Sequence, residues 1–283
     1  MRTIDLHLHS MASDGSFSPT EIVGMAKEIG LSAIALTDHD TIEGLDAFMK
    51  AGRELGVETI RGIETSVSVD DCDVHLVCLY FDPKYPEMVT QLTKMAHSRR
   101  ERNIAMIDKL SKNGFCISQE DFKEYGDRAI ARGHIAKVLV QKHFNEALPK
   151  DIVRDYLSKG KPGYVKRETP DPAVFIRQIH AAGGLAFVAH LHQIDRDDPK
   201  HCISIFEQLV EMGVDGLETQ HGEYDVFWKK TTKDLADRYG LLESGGSDFH
   251  GEIKPGLCMG KGYGDMAVPY SFLEKIKQKL EIG

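Results

Sequence analysis

Apolar and polar positions along the chain follow two periods in turn. Thr3-Ile-Asp-Leu-His-Leu-His9 alternates with period two, the mark of a short strand. Ser18-Pro19-Thr20-Glu21 offers an N-cap serine, a proline at the first helical position and a glutamate completing a capping box. The helix it starts should run to about Ile29 and stop at Gly30. An apolar strand from Ser32 to Thr37 leads into Asp38-His39-Asp40, and a helix from about Ile42 to Leu55 stops at Gly56. Next come a strand from Val57 through Val69, an Asp70-Asp71 turn and an alternating strand from Val74 to Phe81. Strand, polar loop, helix and glycine stop recur, which predicts an α/β fold of βα units around a parallel sheet.

The rhythm breaks between about Tyr85 and Glu168, where the sequence is polar, helical in period and without a convincing strand. A long charged helix is expected around Glu87 to Asn113, then helices near Gln119–Tyr125, Ile130–His143 and Lys150–Ser158. Strands resume at Leu185–Ala189, Gly216–Thr219 and Leu241–Gly245, each after a helix, and a last helix covers about Tyr270 to Leu280. The expected organisation is one α/β body from residues 1–98 and 169–283, interrupted by a helical insertion over 99–168.

A chain of 283 residues that is 41% hydrophobic and 28% charged can fill one large core. No apolar run approaches the ~18–20 residues that span a bilayer. The first residues lead straight into Asp5, His7 and His9 rather than into a signal sequence, so no membrane contact is expected. Cys72, Cys78, Cys116, Cys202 and Cys258 are scattered, odd in number and without a CxxC pair. They read as reduced thiols in a cytoplasmic protein, not as disulfides or a zinc ribbon. The net charge of −9 repels polyanions overall, so any nucleic-acid contact must be local. That charge is uneven: residues 99–168 hold 16 Lys and Arg against 10 Asp and Glu, a balance of +6, which leaves −15 elsewhere.

The informative histidines sit beside acids where predicted strands end. His7 and His9 close the first strand, His39 follows the second, His190 follows Leu185–Ala189, and His250 stands with Asp248 after Leu241–Gly245. His75 lies on the strand after Glu64. In a barrel of parallel strands such ends meet on one face, where βα loops build active sites. His-x-His on a strand sends both imidazoles to one side, which suits a shared metal ion. Isolated histidines such as His97, His143, His180 and His201 read as surface or helix residues, and a single His-x-His could arise in any strand. Five separated strand ends are not explained by packing, because polar groups gathered at one mouth are costly unless something ligates them. Glu64 is expected to bridge two ions, since a carboxylate can span them and an imidazole cannot, while Asp14 and Asp248 add negative charge. Imidazole with carboxylate and no thiolate suits Zn, Mn or Fe, with Mg less comfortable. Asp5, Asp38 and Asp40 read either as partners that fix imidazole tautomers or as solvated turn acids.

Asp5-Leu-His7-Leu-His9-Ser, Ser13-Asp14-Gly, Leu36-Thr-Asp-His39-Asp, Gly62-Ile-Glu64, His75, Ala189-His190 and Ser247-Asp248-Phe-His250 together resemble the PHP family. That family is named for its polymerase and histidinol-phosphatase members and is related to the amidohydrolases. The resemblance implies a distorted (β/α)7 TIM-like barrel with two or three divalent ions. One ion would take His7, His9, Glu64 and Asp248, a second Glu64, His75 and His190, and a third Asp14, His39 and His250. The family frequently has Ala-His-Pro where this chain has Ala189-His190-Leu191-His192. The chain also resembles the group with a helical insertion and an Arg-x-His-Ile-Ala element, here Arg132-Gly133-His134-Ile135-Ala136, followed by Gly160-Lys161-Pro162-Gly163-Tyr164-Val165. Where that group often has Arg-Pro-His, this chain has Gly133. The group includes phosphatases of nucleoside 3′,5′-bisphosphates and AMP, and relatives that trim short RNA from the 5′ end.

The expected reaction is hydrolysis of a phosphomonoester on a nucleotide or similar small molecule by a metal-activated water, centred on Glu64 and Asp248. His192 and His221 are the candidates for the acid that protonates the leaving group. The insertion should overhang the metal face and present Arg132 and His134, with Arg99, Arg102 or Lys161, to the phosphate. Competing readings are 5′–3′ exonuclease action on short RNA, histidinol-phosphate or C–N hydrolysis, and a metal-stabilised binding module that has lost catalysis. The complete ligand set speaks against the last. No Ser-His-Asp pattern, P-loop or GxGxxG is present, and no obligate protein partner is implied.

Overall fold

The structure, a computed structural model, describes residues 2–125, 130, 132–144 and 147–282. Its strands are β1 (Thr3–Leu8), β2 (Ala33–Leu36), β3 (Glu58–Val69), β4 (Cys72–Leu79), β5 (Leu185–Val188), β6 (Gly216–His221), β7 (Leu242–Gly246) and β8 (Val268–Pro269). They form one sheet in the order β7-β6-β5-β4-β3-β2-β1-β8. Past β7 the chain returns to β1: the Asp248 amide donates to the His7 carbonyl at 2.9 Å and the His9 amide to the Phe249 carbonyl at 3.0 Å. The sheet thus nearly closes into the expected barrel.

The sheet is not wholly parallel. β1, β2 and β3 pair in parallel, as do β5, β6 and β7, but β4 runs antiparallel to both β3 and β5. The cause is the two-residue connection Asp70-Asp71, whose φ values of 48° and 61° make a tight hairpin tip. A connection so short cannot carry a crossover helix, so the next strand must reverse. The short β8, which sequence periodicity does not reveal, pairs antiparallel with β1.

Helices α1 (Pro19–Glu28) and α2 (Leu45–Leu55) cover β1 and β2 through Leu8, Ile22, Val23, Ile34, Leu36 and Phe48. The predicted capping box closes on α1, with the Glu21 amide donating to Ser18 Oγ at 3.3 Å and the Ser18 amide to Glu21 Oε2 at 2.7 Å. α2 starts three residues later than expected: Ile42 to Leu45 close a tighter three-residue turn, and the first helical bond runs from the Phe48 amide to the Gly44 carbonyl. α3 (Pro86–Lys112) spans two cores. Met88, Leu92 and Met95 pack with β3, β4 and β5 and with α6 (Pro172–Ala181) and α7 (Pro199–Glu211). Met106, Ile107 and Leu110 instead join a separate cluster with Phe122, Ile135, Leu139 and Leu157. That second cluster is built by α4 (Arg132–His143), α5 (Pro149–Ile152), the π-wound turn Val153–Leu157 and a 3₁₀ turn over Gln119–Tyr125. Ala131, inside the helix expected from Ile130, lies outside the described residues. α8 (Val226–Tyr239) and α9 (Tyr270–Lys279) complete the cover. No helix among the described residues is long and apolar enough to cross a membrane.

Candidate metal centre and anion pocket

The mouth of the barrel gathers the predicted ligands. His7 lies near the end of β1 and His9 directly follows it, and period-two alternation turns both rings inward. Glu64 sits midway along β3, just above the point where β2 stops pairing, and is joined there by a single bridge to His39. His75 lies near the start of β4, opposite Ser66. Because β4 runs the other way, its start lies at the same end as the C-termini of the parallel strands. His190 and Asp248 follow β5 and β7 with φ values of 24° and 58°, and Asp40 follows β2 at 53°. Non-glycine residues rarely adopt these angles, and such strain concentrates at functional mouths.

Glu64 is fully buried and divides its oxygens. Oε1 lies 2.7 Å from His190 Nε2 and 2.9 Å from His75 Nδ1. Oε2 faces His39 Nδ1 at 3.0 Å, His9 Nε2 at 3.2 Å and His7 Nε2 at 3.3 Å. Asp248 Oδ1 reaches His9 Nε2 at 3.3 Å and His7 Nε2 at 3.6 Å. Asp14 lies 3.3 Å from His250 Nε2 and 3.9 Å from both His9 Nδ1 and His39 Nε2. Among the described residues four sets of donor atoms lie within 4.8 Å of one another: His7, His9, Glu64 and Asp248; His9, Asp14, His39 and His250; His39, Glu64 and His75; and His7, Glu218 and His221. The second and third sets bring in one imidazole more than sequence resemblance assigned, His9 and His39 respectively, while His190 approaches through Glu64 Oε1.

Burial alone would neutralise the carboxylates. The charges of His39, His75 and His7 and the bond from His190 outweigh it and hold Glu64 well below the usual carboxylate range. Asp14 and Asp248 are held down in the same way by His39 and by Lys254 respectively. Burial would likewise discharge the imidazoles, and it takes His39 and His190 down to about 4. Acids reverse it at His9, lifted to about 9 by Asp248 and Glu64, and at His7, raised well above the ordinary value by Glu218, Glu64 and Asp248. Meanwhile His9 Nδ1, His39 Nδ1 and Glu64 Oε2 are buried with no hydrogen-bond partner. Convergent, unpartnered lone pairs of imidazole and carboxylate are the donor set that divalent cations accept. The residues fit the implied ions.

The acid that fixes an imidazole here is Glu218, which sequence reasoning missed. Its Oε1 pairs with His7 Nδ1 at 2.7 Å, leaving Nε2 for the centre, and its Oε2 accepts the His190 amide at 2.7 Å. Asp5, Asp38 and Asp40 touch no imidazole. Asp5 accepts the amides of His7, Ser247 and Gly260; Asp38 accepts Ser10 and Ser13. Lys254, also unforeseen, contacts Asp248 Oδ2. His221 Nδ1 accepts the Glu223 amide, and its Nε2 stands 3.6 Å from Asp248 Oδ2 without a hydrogen bond. His192 Nε2 pairs with Glu223 Oε2 at 3.1 Å. The two ring centroids lie 5.5 Å apart, and of the two it is His221 that faces Asp248.

Next to these ligands a pocket of about 550 Å³, open to solvent, is lined by Asp14, His39 and His75 together with Arg99, Arg102, Arg132 and Arg167. Arg99 and Arg167 share Asp40, whereas Arg102 and Arg132 form no ion pair among the described residues. Burial and the neighbouring Arg132, Arg99 and Arg167 push Arg102 well below its ordinary value. Guanidiniums gathered this closely attract an anion. Two expectations need correction. His134 is buried on α4, and Lys161 is exposed at the start of the return to the barrel; neither lines the pocket. In a helix, successive residues diverge by ~100°, so with Arg132 facing the pocket His134 turns into the insertion. Arg167, six residues past Lys161, faces the pocket instead.

Comparison with known proteins agrees with this geometry. The PHP domain model matches residues 5–164. A 5′–3′ exoribonuclease of Haemophilus influenzae is 36% identical over 248 residues, 87% of this chain and 89% of that protein. A 3′,5′-nucleoside bisphosphate phosphatase of Chromobacterium violaceum is 32% identical over 266 residues, 92% of this chain and 91% of that one. A candidate metal-dependent phosphoesterase of Bifidobacterium adolescentis superposes with a TM-score of 0.87 at 27% identity, covering 98% of this chain and 96% of the other. With its motifs in order, its ligands converging at one mouth and a family match over more than half its length, the chain belongs to the PHP domain family.

Proposed function

We propose that this phosphoesterase hydrolyses a phosphate monoester of a nucleotide-sized substrate, using two or three divalent ions, Mn, Zn or Fe in preference to Mg. One observation carries the reading: a single pocket, with room for a small phosphorylated molecule, is lined both by donor atoms for cations and by four guanidiniums. His7, His9, Glu64 and Asp248 would hold one ion, Glu64, His75 and His190 with His39 a second, and Asp14, His39 and His250 with His9 a third. Ions held there supply positive charge to the phosphate and acidity to the attacking water.

The chain's own side chains do the rest. Arg132 and Arg102 receive the substrate's negative charge, and the helical insertion over residues 99–168 acts as the cap that carries them. Glu218 keeps His7 in the tautomer whose Nε2 faces the centre. His221, with Nδ1 committed as an acceptor, carries its proton on Nε2 when neutral and is the better placed acid for the leaving group.

A second reading, exonuclease action on short RNA, is favoured by the 36% identity to the Haemophilus exoribonuclease. It is also favoured by the pocket's continuation past Asp73, Tyr164 and Thr169 toward Lys159 and Lys166. Phosphate release and product length, measured over mononucleotides, nucleoside bisphosphates, 5′-phosphorylated short RNA and histidinol phosphate, separate the readings. Bisphosphate or mononucleotide turnover well above all others is expected. Turnover confined to RNA overturns the monoesterase reading, and the absence of both phosphate release and RNA shortening with every substrate overturns both.

A further inference from the structure

Asp40 follows His39 at the barrel mouth but takes no part in the ligand cluster. It is 2% exposed, and its Oδ2 accepts from Arg99 and, at 2.6 Å, from Arg167. Its Oδ1 accepts the Ser66 amide at 3.2 Å, and its own amide donates to the Glu64 carbonyl at 2.9 Å. Asp40 is therefore fixed against β3, the strand that carries Glu64. Its two guanidinium partners stand at special places. Arg99 lies on α3 where the chain passes from barrel to helical insertion, and Arg167 lies where it returns. The crossings touch each other too, through Ser98 Oγ and the Glu168 carbonyl at 2.8 Å.

Among the described residues no other carboxylate pairs with Arg99 or Arg167. Both side chains are nearly buried, 5% and 10% exposed, and Arg102 and Arg132 stand beside them in the same pocket. Like charges confined this closely separate unless an anion holds them. Arg99 Nε and Arg102 Nε are buried without partners, so this cluster retains donors that no group among the described residues satisfies. One buried carboxylate orients Arg99 and Arg167 and leaves the four guanidiniums with a net positive charge.

We infer that Asp40 is a positioning residue for anion capture: by holding Arg99 and Arg167 at the two crossings, it sets the orientation in which the pocket receives a phosphate. This rests on the pocket reading proposed above and adds to it a residue that touches neither substrate nor ion. The barrel loop that carries His39 and Asp40 thereby also holds the two ends of the insertion, through Arg99 and Arg167.

The test measures binding of inorganic phosphate to the metal-loaded protein by calorimetry, together with KM, kcat and metal per chain. It compares wild type, Asp40→Asn, Arg99→Gln with Arg167→Gln, and the triple variant. Asp40→Asn should weaken phosphate binding and raise KM roughly 30-fold, with KM changing far more than kcat and metal content retained. In the background lacking both arginines the same change should cost less than about threefold, because a residue acting through others is silent without them. An equal cost in both backgrounds overturns the proposal, as does loss of metal and kcat with phosphate affinity intact, which would mean that Asp40 acts through His39. If Asp40→Asn does not fold, Asp40→Glu keeps the charge and displaces it. A raised KM then supports the inference and a wild-type KM overturns it. Phosphate calorimetry reads independently of turnover, so an error in the assigned substrate does not disguise an error about Asp40.

Discussion

The Nε2 atoms of His7 and His9 lie 3.1 Å apart on one face of β1, with both rings fully buried. Only a proton or a cation between them makes that approach favourable, since two imidazole lone pairs otherwise repel. Removing metal should therefore cost stability as well as activity. Chelator is expected to abolish hydrolysis and to lower the thermal midpoint, and Mn, Zn or Fe to restore both, by mass action on the folded state. Elemental analysis of fully active protein should show at least two ions per chain; fewer than one would sink the assignment.

Glu64 touches five imidazoles through two oxygens, more than any other carboxylate at the mouth. Replacing it removes charge from every neighbouring set at once. Glu64→Gln should lower turnover by orders of magnitude and deplete metal more than His75→Ala or His250→Ala does. Metal analysis and kinetics on the three variants check the ranking. A Glu64→Gln protein with normal metal content and near-normal turnover contradicts a bridging role.

Arg132 faces the pocket from α4 without an ion-pair partner among the described residues. Arg132→Ala should leave metal content intact and cost about 2–4 kcal/mol in kcat/KM on the preferred nucleotide. Arg132→Lys should recover part of that, keeping the charge and losing the fork. A small artificial ester that does not reach the cap should be affected less. Wild-type efficiency of the alanine variant would move substrate recognition elsewhere.

Glu223 gives a pH-dependent term with a definite sign. The hydrogen bond from His192, against the cost of burial, takes its carboxyl from 4.5 down to about 2, with Lys254 assisting. A depressed carboxylate stabilises the fold in full above its unfolded value and loses that contribution as pH falls through its folded one. The difference in denaturation midpoint between metal-free wild type and Glu223→Gln should stay constant down to about pH 5 and shrink between 4.5 and about 2. A gap unchanged at the acid end would show that the pair with His192 does not form.

Which features were legible in sequence follows from how local their signals are. His7 and His9, or Asp248 and His250, are spaced two apart and announce a shared direction within a few letters. Glu218, Lys254 and Arg167 act singly, on elements where nothing nearby repeats, so only the closed barrel brings them to Asp248, His7 or Asp40. Helix lengths and stops were read to within a turn because capping and glycine chemistry is local, as at Ser18 and Gly56. The reversal of β4 was written in the sequence too, in a two-residue Asp70-Asp71 connection. The prevailing βα rhythm obscured it. Lys161 and His134 misled for a different reason: nearness in sequence to a pocket arginine says nothing about which face of the helix or loop a side chain takes.

The reversal of β4 also decides how the helical insertion is mounted. A strand running upward would release the chain at the mouth, where a cap could hang from a short loop. β4 instead releases it at the far end of the barrel, and α3, 27 residues long, must climb back along the flank. At 1.5 Å per residue that helix is a mast of about 40 Å, planted among Met88 and Met95 and topped by Met106 and Leu110. A mast fixes phase as well as height. Deleting one residue between Pro86 and Arg99 would lower Arg99 by about 1.5 Å and swing it by roughly 100°, out of reach of Asp40. The stretch from 86 to 99 is thus intolerant of length change even where its individual side chains face solvent.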